Sequence, residues 1–260
     1  MPAIESHKPG SFCWFELGTT DQEGAKKFYC SLFGWTFNDF PMGPDGVYTM
    51  FKLDGRDVGA AYPLGGQIAP NVPPHWALYV AVQSADEAAG RIETAGGKLM
   101  KPAFDVFDAG RMAVAADPTG AVFMVWQPKK NKGTGITGVD GTACWADLST
   151  PDPARAAEFY KSLFGWEAVK DPKDSSGYIH IKNGDEFIGG IPPARYYDAK
   201  VPPHWLIYFL VSNCDDSAAK ATRMNAHLLL SPCDVQNVGR MAIVKDPQGA
   251  VFALFQPSGR

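Results

Sequence analysis

The sequence predicts an α+β protein made of two tandem copies of one unit, each copy a pair of βαβββ modules. Three observations carry that reading. The chain is written twice: FCWFELGTTDQEGAKKFYCSLFGW (12–35) lines up with ACWADLSTPDPARAAEFYKSLFGW (143–166), PPHWALYVAV (73–82) with PPHWLIYFLV (202–211), and GRMAVAADPTGAVF (110–123) with GRMAIVKDPQGAVF (239–252). Each copy alternates short apolar runs of strand character with stretches of helical spacing. Each copy also closes on the same punctuation, DPTGAVFMVWQP or DPQGAVFALFQP, in which Asp-Pro-x-Gly makes a turn and the apolar run behind it has the length and content of a buried strand.

The elements follow in order. Phe12–Leu17 alternates as a strand. Thr20-Asp21 then offers an N-cap to a helix reaching Leu32, with Ala25, Phe28, Tyr29 and Leu32 on one face. Pro151 to Phe164 repeats this in the second copy. Val47–Leu53 and Val58–Tyr62 read as strands, His75–Val82 as another, and Ala85–Ala95 as a helix stopped by Gly96-Gly97. Arg111–Ala116 and Ala121–Gln127 close the unit. The domains expected are residues 1–128 and 143–260, joined by KKNKGTGITGVDGT (129–142), basic and then rich in Gly and Thr, as a linker.

Composition narrows the function. Hydrophobic residues make up 45% and charged residues 20%, a normal globular balance. Net charge is −4 with scattered basic residues, which argues against nucleic acid and anionic membrane as partners. No apolar run has the length of a membrane span, and MPAIESHKPG lacks the layout of a signal peptide. Five cysteines without a CxxC pair suit a reducing cytoplasm, and the protein is expected there as a monomer or homodimer.

The string of strand, TxDxxxAxxFYxxLFGW, strands, PPHW strand, GRMAV and DPxGAVF resembles the vicinal oxygen chelate superfamily, the group of glyoxalases, bleomycin-resistance proteins and extradiol dioxygenases. More narrowly it resembles the tandem two-domain members called glyoxalase-like proteins or hydroxylases. The resemblance covers almost the whole chain. It implies mixed sheets curled around a cavity, with the helices packed outside.

Strand alternation assigns the lining of that cavity. In the first strand Cys13, Phe15 and Leu17 share the helix-packing face, leaving Trp14 and Glu16 opposite; the second copy divides into Cys144, Ala146 and Leu148 against Trp145 and Asp147. The same rule turns Ala77, Tyr79, Val122, Met124 and Trp126 toward the first cavity and Leu206, Tyr208, Val251, Ala253 and Phe255 toward the second. By resemblance, the metal-ligand positions of metal-dependent relatives fall on Trp14, Ala77 and Met124, and on Trp145, Leu206 and Ala253. None of these is an imidazole or carboxylate donor, so no metal and no cofactor is expected.

Glu16 and Asp147 are candidate catalytic carboxylates if desolvation raises their pKa, or charges paired to Arg111 and Arg240. His75 and His204 are candidate acid–base groups, or histidines bonded to backbone to hold the Pro-Pro turn, and their use in both copies favours the turn. His180 breaks the repeat, with Met50 opposite it, and reads as an exposed strand histidine or a hint of function. Trp14, Tyr79, Met124, Trp126, Trp145, Tyr208 and Phe255 are core residues or the aromatic lining of a small-molecule site. Two functions follow as expectations. One is metal-independent binding of an aromatic or amphipathic small molecule, metabolite or antibiotic-like. The other is a glyoxalase-like lyase or isomerase, or a hydroxylase-accessory enzyme, acting on a ketone-containing molecule.

Overall fold

The computed structural model describes residues 4–43, 46–65, 72–172 and 174–259. The first copy contains β1 (Phe12–Thr19), α1 (Gln22–Phe33), β2 (Thr36–Pro41), β3 (Val47–Leu53), β4 (Arg56–Pro63), β5 (His75–Ala81), α2 (Ala85–Ile92), β6 (Lys98–Val106), β7 (Gly110–Ala116) and β8 (Val122–Pro128). The second contains β9 (Ala143–Ser149), α3 (Pro153–Phe164), β10 (Glu167–Val169), β11 (Ile179–Asn183), β12 (Glu186–Ile191), β13 (His204–Leu210), α4 (Cys214–Arg223), β14 (His227–Val235), β15 (Gly239–Lys245) and β16 (Val251–Pro257). Each copy forms one eight-stranded mixed sheet, ordered β2-β3-β4-β1-β5-β8-β7-β6 and β10-β11-β12-β9-β13-β16-β15-β14. The first strands of the two modules lie antiparallel at each sheet's centre, Glu16 opposite Ala77 and Asp147 opposite Leu206.

Local chemistry sets the helices. Asp21 accepts the Gly24 N–H and Asp152 accepts the Arg155 N–H, satisfying first-turn donors. Gly34 and Gly165, the glycines of the two LFGW strings, end these helices in the left-handed conformation at φ 72° and 76°. α2 stops at Ile92, short of the Ala95 that periodicity suggested, because the last residues tighten into a turn in which Gly97 N–H reaches Ile92 C=O.

Two strands per copy escape sequence periodicity. β2 is exposed along its whole length and ends in Pro41, and β6 carries Pro102 with mostly exposed positions. Both are sheet edges, where one side of the backbone needs no partner and the side chains need not alternate.

The helices lie outside each sheet's concave face, as expected, but are not the outer layer of the molecule. Their apolar faces all join the core between the two sheets, while polar positions such as Glu23, Glu87 and Asp216 stay exposed. From α1, Phe28 and Tyr29 meet Phe252 of the other copy with ring centroids 6.3 and 5.5 Å apart, and Phe33 meets Phe209 at 5.0 Å. From α3, Phe159, Tyr160 and Phe164 all surround Phe123 at 5.5 to 5.9 Å. One hydrophobic core therefore runs through both copies, from Phe15, Leu17 and Trp76 to Leu148, Trp205 and Phe252. The apolar arcs of α1 and α3 are too wide for their own sheets alone, and the other copy's sheet covers the remainder.

The connecting segment 129–142 is pinned along its length. Thr134 N–H donates to Cys13 C=O, Gly135 N–H to Asp57 C=O, Gly141 N–H to Leu210 C=O, and the Trp35 indole to Gly141 C=O at 2.8 Å.

Candidate functional site

The concave face of the first sheet gathers Trp14, Ala60, Ala77, Tyr79, Met112, Met124 and Trp126 into a second apolar cluster, separate from the inter-sheet core. Its counterpart in the second copy is built on Leu206, Tyr208 and Ala253, with Cys144, Trp145, Met241, Ile243, Val251 and Phe255 packed around them. Strand alternation therefore placed the tryptophans and tyrosines on the right face. It failed for Cys13, which lies in the concave cluster and not under the helix. A β-bulge explains this: β1 pairs Phe12 with Val80 and Trp14 with Tyr79, so Cys13 is the extra residue, and Phe12 turns to the inter-sheet core against Trp166 and Trp205. The second copy repeats the irregularity at Cys144, between Ala143 opposite Phe209 and Trp145 opposite Tyr208.

At the middle of each face a carboxylate is surrounded by donors. Glu16 Oε1 accepts from the Trp14 indole (3.2 Å) and the Tyr48 hydroxyl (2.5 Å), while Oε2 accepts from the Tyr79 hydroxyl (2.5 Å). The Trp14 indole also donates to Tyr48 Oη at 3.1 Å. In the second copy Asp147 Oδ1 accepts from Trp145 (3.1 Å) and Tyr178 (2.5 Å), and Oδ2 from Tyr208 (2.8 Å). Trp145 again donates to the neighbouring hydroxyl, that of Tyr178, at 2.9 Å. Both carboxylates are charge-assisted acceptors with every oxygen engaged.

Burial pushes the Glu16 carboxyl above its ordinary range, and the hydrogen bonds from Tyr48, Tyr79 and Trp14 pull back without cancelling it. Asp147 is raised in the same way, opposed by Tyr178, Tyr208, Trp145 and the nearby His180. Burial, and then the Glu16 charge, hold Tyr48 and Tyr79 well above the usual phenol value, so both stay protonated donors.

The arginine pairing considered for these carboxylates does not occur. Arg111 binds Asp86 through Nε and Nη2 at 2.7 and 2.8 Å, and Arg240 binds Asp215 at 2.6 and 2.9 Å. The cause is alternation: Met112 pairs with Trp126 on the concave side, so Arg111 points to the helix side, where the first turn of α2 supplies Asp86.

The histidines sit apart from this constellation. His75 Nδ1 is 2.9 Å from Pro73 C=O and His204 Nδ1 is 2.9 Å from Pro202 C=O, holding the Pro-Pro turns. His75 Nε2 also lies 3.4 Å from the Tyr62 hydroxyl. His75 is cross-strand from Gly18 and His204 from Ser149, two residues along from the carboxylate row.

Sequence reasoning missed Tyr48 and Tyr178. The signal was present, since Tyr48 stands in an alternating strand and a tyrosine recurs at the same place in the second copy. It also missed the partner of the Glu-to-Asp change. Glu16 pairs with Ala60 and Asp147 with Gly190. A Cβ at Gly190 would lie 1.9 Å from the Tyr178 hydroxyl. Asp147 is one methylene shorter than Glu16, so Tyr178 must lie lower to reach it, and only glycine leaves room.

Two tandem eight-stranded sheets of paired βαβββ modules, each with a carboxylate at the centre of its concave face, define a two-domain vicinal oxygen chelate fold. The chain belongs to the Glyoxalase/Bleomycin resistance protein/Dioxygenase superfamily, whose family model matches residues 11–125 and 142–254. Among curated proteins it is 38% identical over 262 residues to a putative glyoxylase, CFP32, of Mycobacterium tuberculosis, with 99% of each chain covered. It is 35% identical to the anthracycline biosynthesis protein DnrV of Streptomyces peucetius, with 95% of this chain and 94% of that one covered. Among solved structures, the Mn(II)-bound glyoxalase of Novosphingobium aromaticivorans shares the fold with a TM-score of 0.65 at 15% identity, over 96% of this chain and 82% of that one. The 2,3-dioxygenase LapB of Pseudomonas sp. KL28 does so with a TM-score of 0.64 at 15% identity, over 98% and 93%.

The residues present do not fit the metal of such a fold. The row across the first concave face reads Met50, Ala60, Glu16, Ala77, and the next strand adds Met124. A transition metal wants three or four imidazole or carboxylate donors, whereas the first face offers only Glu16 and the second only Asp147 and the imidazole of His180, and the oxygens of both carboxylates are already bonded. Among the described residues no group of three His, Cys, Asp or Glu side chains could hold an ion, and no helix is long and apolar enough to cross a membrane.

Proposed function

We propose that the chain binds an aromatic or amphipathic small molecule, a metabolite or an antibiotic-like compound, on a concave face of this fold without a metal. The observation that carries the reading is the central carboxylate in each copy, bonded to an indole and two phenols. Such a carboxylate orders an aromatic wall and does not serve as an open metal ligand. Trp145 and Phe255 of the second copy, half-buried beside Tyr208, suit a flat apolar ligand steered by few polar groups, whereas Trp14, Tyr79, Met124 and Trp126 of the first are buried against one another. A relative named for anthracycline biosynthesis agrees with an aromatic ligand. Titration of tryptophan emission with planar aromatics tests this, alongside native mass spectrometry and metal analysis of the purified protein. Saturable quenching with no bound metal is expected. A stoichiometric metal that survives dialysis overturns the metal-free reading.

A second reading is a glyoxalase-like lyase or isomerase, or a hydroxylase-accessory enzyme, acting on a ketone-containing molecule. It is favoured by the raised pKa of Glu16 and Asp147, as a general base requires, and by the relative named as a putative glyoxylase. His75 and His204 would supply the second proton-transfer group. Turnover of a 2-oxoaldehyde with a thiol, lost in Glu16→Gln or Asp147→Asn, would establish it.

A further inference from the structure

The two concave faces are built alike but finished differently. In the first, Cys13, Trp14, Met112 and Trp126 are buried, Trp14 to 3% exposure. Their counterparts in the second, Cys144, Trp145, Met241 and Phe255, are only half-buried. The carboxylates run the other way, with Asp147 buried on the floor and the longer Glu16 reaching higher. Met124 becomes Ala253 and Trp126 becomes Phe255, which thins the lining. The edge strand shrinks from six residues in β2 to three in β10. The first face is closed by its own side chains, and the second leaves aromatic surface open.

The polar difference falls on the same row. In the first copy Met50, Ala60 and Glu16 are cross-strand neighbours, and in the second these positions are His180, Gly190 and Asp147. His180 therefore stands on the concave face, two strand spacings (about 10 Å) from Asp147. Three rings meet its imidazole edge-on: Tyr178 at 4.9 Å, Phe187 at 5.4 Å and Trp145 at 6.4 Å. Among the described residues its ring nitrogens make no hydrogen bond, unlike those of His75 and His204. Phe187 is itself a substitution. In the first copy Lys52 pairs with Asp57 across the β3–β4 ladder, and in the second the matching pair is Lys182 and Phe187, the latter 52% exposed. A methionine and an ion pair have become an imidazole without a hydrogen bond and, beside it, a half-exposed phenyl ring with Lys182 Nζ 5.6 Å from its centroid.

We propose that the second copy holds the ligand seat and that His180 is the residue that binds the ligand's polar oxygen. The ligand class this fits is a planar aromatic carrying a phenolic hydroxyl or a keto oxygen. The ring lies against Trp145, Phe187 and Phe255, and the oxygen donates to or accepts from the imidazole, which has one donor and one acceptor nitrogen when neutral. The first copy, with a half-buried methionine, Met50, where the second has the imidazole, completes the shared core and supports the second.

The inference rests on the binding reading, and the experiment separates the two. The full-length protein is titrated with 1,4-dihydroxyanthraquinone and with anthracene, a planar ring system without oxygens. Tryptophan emission is read for wild type and His180→Met, the residue that the first copy carries there. Imidazole ¹⁵N resonances are followed in parallel, and the chain's five histidines keep that spectrum simple. The expected result is a shift of the His180 resonances on adding the dihydroxy probe, with those of His75 and His204 unmoved. His180→Met should weaken that probe about tenfold, the worth of one hydrogen bond, and leave anthracene within about twofold. Binding of the dihydroxy probe that is unchanged in His180→Met, with His180 resonances unmoved, overturns this inference and leaves the binding reading standing. Failure of wild type to bind either probe overturns the binding reading and this inference with it.

Discussion

Tyr29 of the first copy donates its hydroxyl proton to Asp246 of the second at 2.8 Å, and Tyr160 of the second returns the bond to Asp117 of the first at 3.2 Å. Each tyrosine also accepts from an indole of its own copy, Trp76 at 3.0 Å or Trp205 at 3.1 Å. Each aspartate uses its other oxygen to bind the backbone of its Asp-Pro-x-Gly turn, with Gln248, Gly249 and Ala250 N–H at 2.7 to 3.0 Å on Asp246. The two most recognisable strings in the chain, FYxxLFGW and DPxGAVF, thus meet crosswise between the copies.

Removing one of these hydroxyls should be felt by the whole molecule. Tyr29→Phe leaves a buried Asp246 oxygen and the Trp76 indole short of a partner, at a cost of about 1–3 kcal/mol. Because one core spans both copies, denaturant unfolding should stay a single transition shifted to lower midpoint. Separate transitions for the two copies, with only one moved, would contradict the shared core.

Gly190→Ala should displace Tyr178 from Asp147, since the new methyl collides with the hydroxyl. Overpacking of this kind costs about 1–3 kcal/mol. The first copy pairs Glu16 with Ala60, so adding Asp147→Glu to Gly190→Ala should recover part of the loss. A double variant no more stable than the sum of the single changes would refute the coupling.

The raised carboxyls set a pH dependence. Ordinary values are 4.5 for Glu16 and 3.8 for Asp147, and the folded values are higher. A group whose folded pKa is raised holds its proton better when folded. Its stabilising contribution is full below the ordinary value and lost as pH rises through the raised one. Wild type should therefore lose stability relative to Glu16→Gln as pH increases from about 4 toward neutrality. Asp246 is raised too, so the difference between wild type and variant is the quantity to measure. A difference that is flat with pH, or of opposite slope, would show that Glu16 is not desolvated.

Metal should not support the fold. An ion bound at one hundred times its Kd adds about 2.7 kcal/mol, several degrees in Tm for a chain of this size. Added Mn²⁺, Zn²⁺ or Ni²⁺ should leave Tm unchanged within about one degree, and so should dialysis against a chelator. A rise of several degrees with any one ion would place a donor set on the concave faces after all.

The sequence by itself determined the duplication, the four modules and the concave side of the central strands, because repeats and a period of two are local properties of the string. Residue identity also shows that Trp14, Ala77, Met124, Trp145, Leu206 and Ala253, where the resemblance puts metal ligands, carry no imidazole or carboxylate. Tertiary structure decided what depends on neighbours distant in the chain. The bulge at Cys13 needs the β5 partner, the edge strands β2 and β6 have no alternation to show, and Tyr48 meets Glu16 only because β3, β4 and β1 lie side by side. Arg111 was drawn to Asp86 by a helix terminus that spacing alone does not place. The packing of the helices' apolar faces into one core shared by both sheets was likewise invisible, for a helix pattern records that a face is apolar and not which surface will cover it.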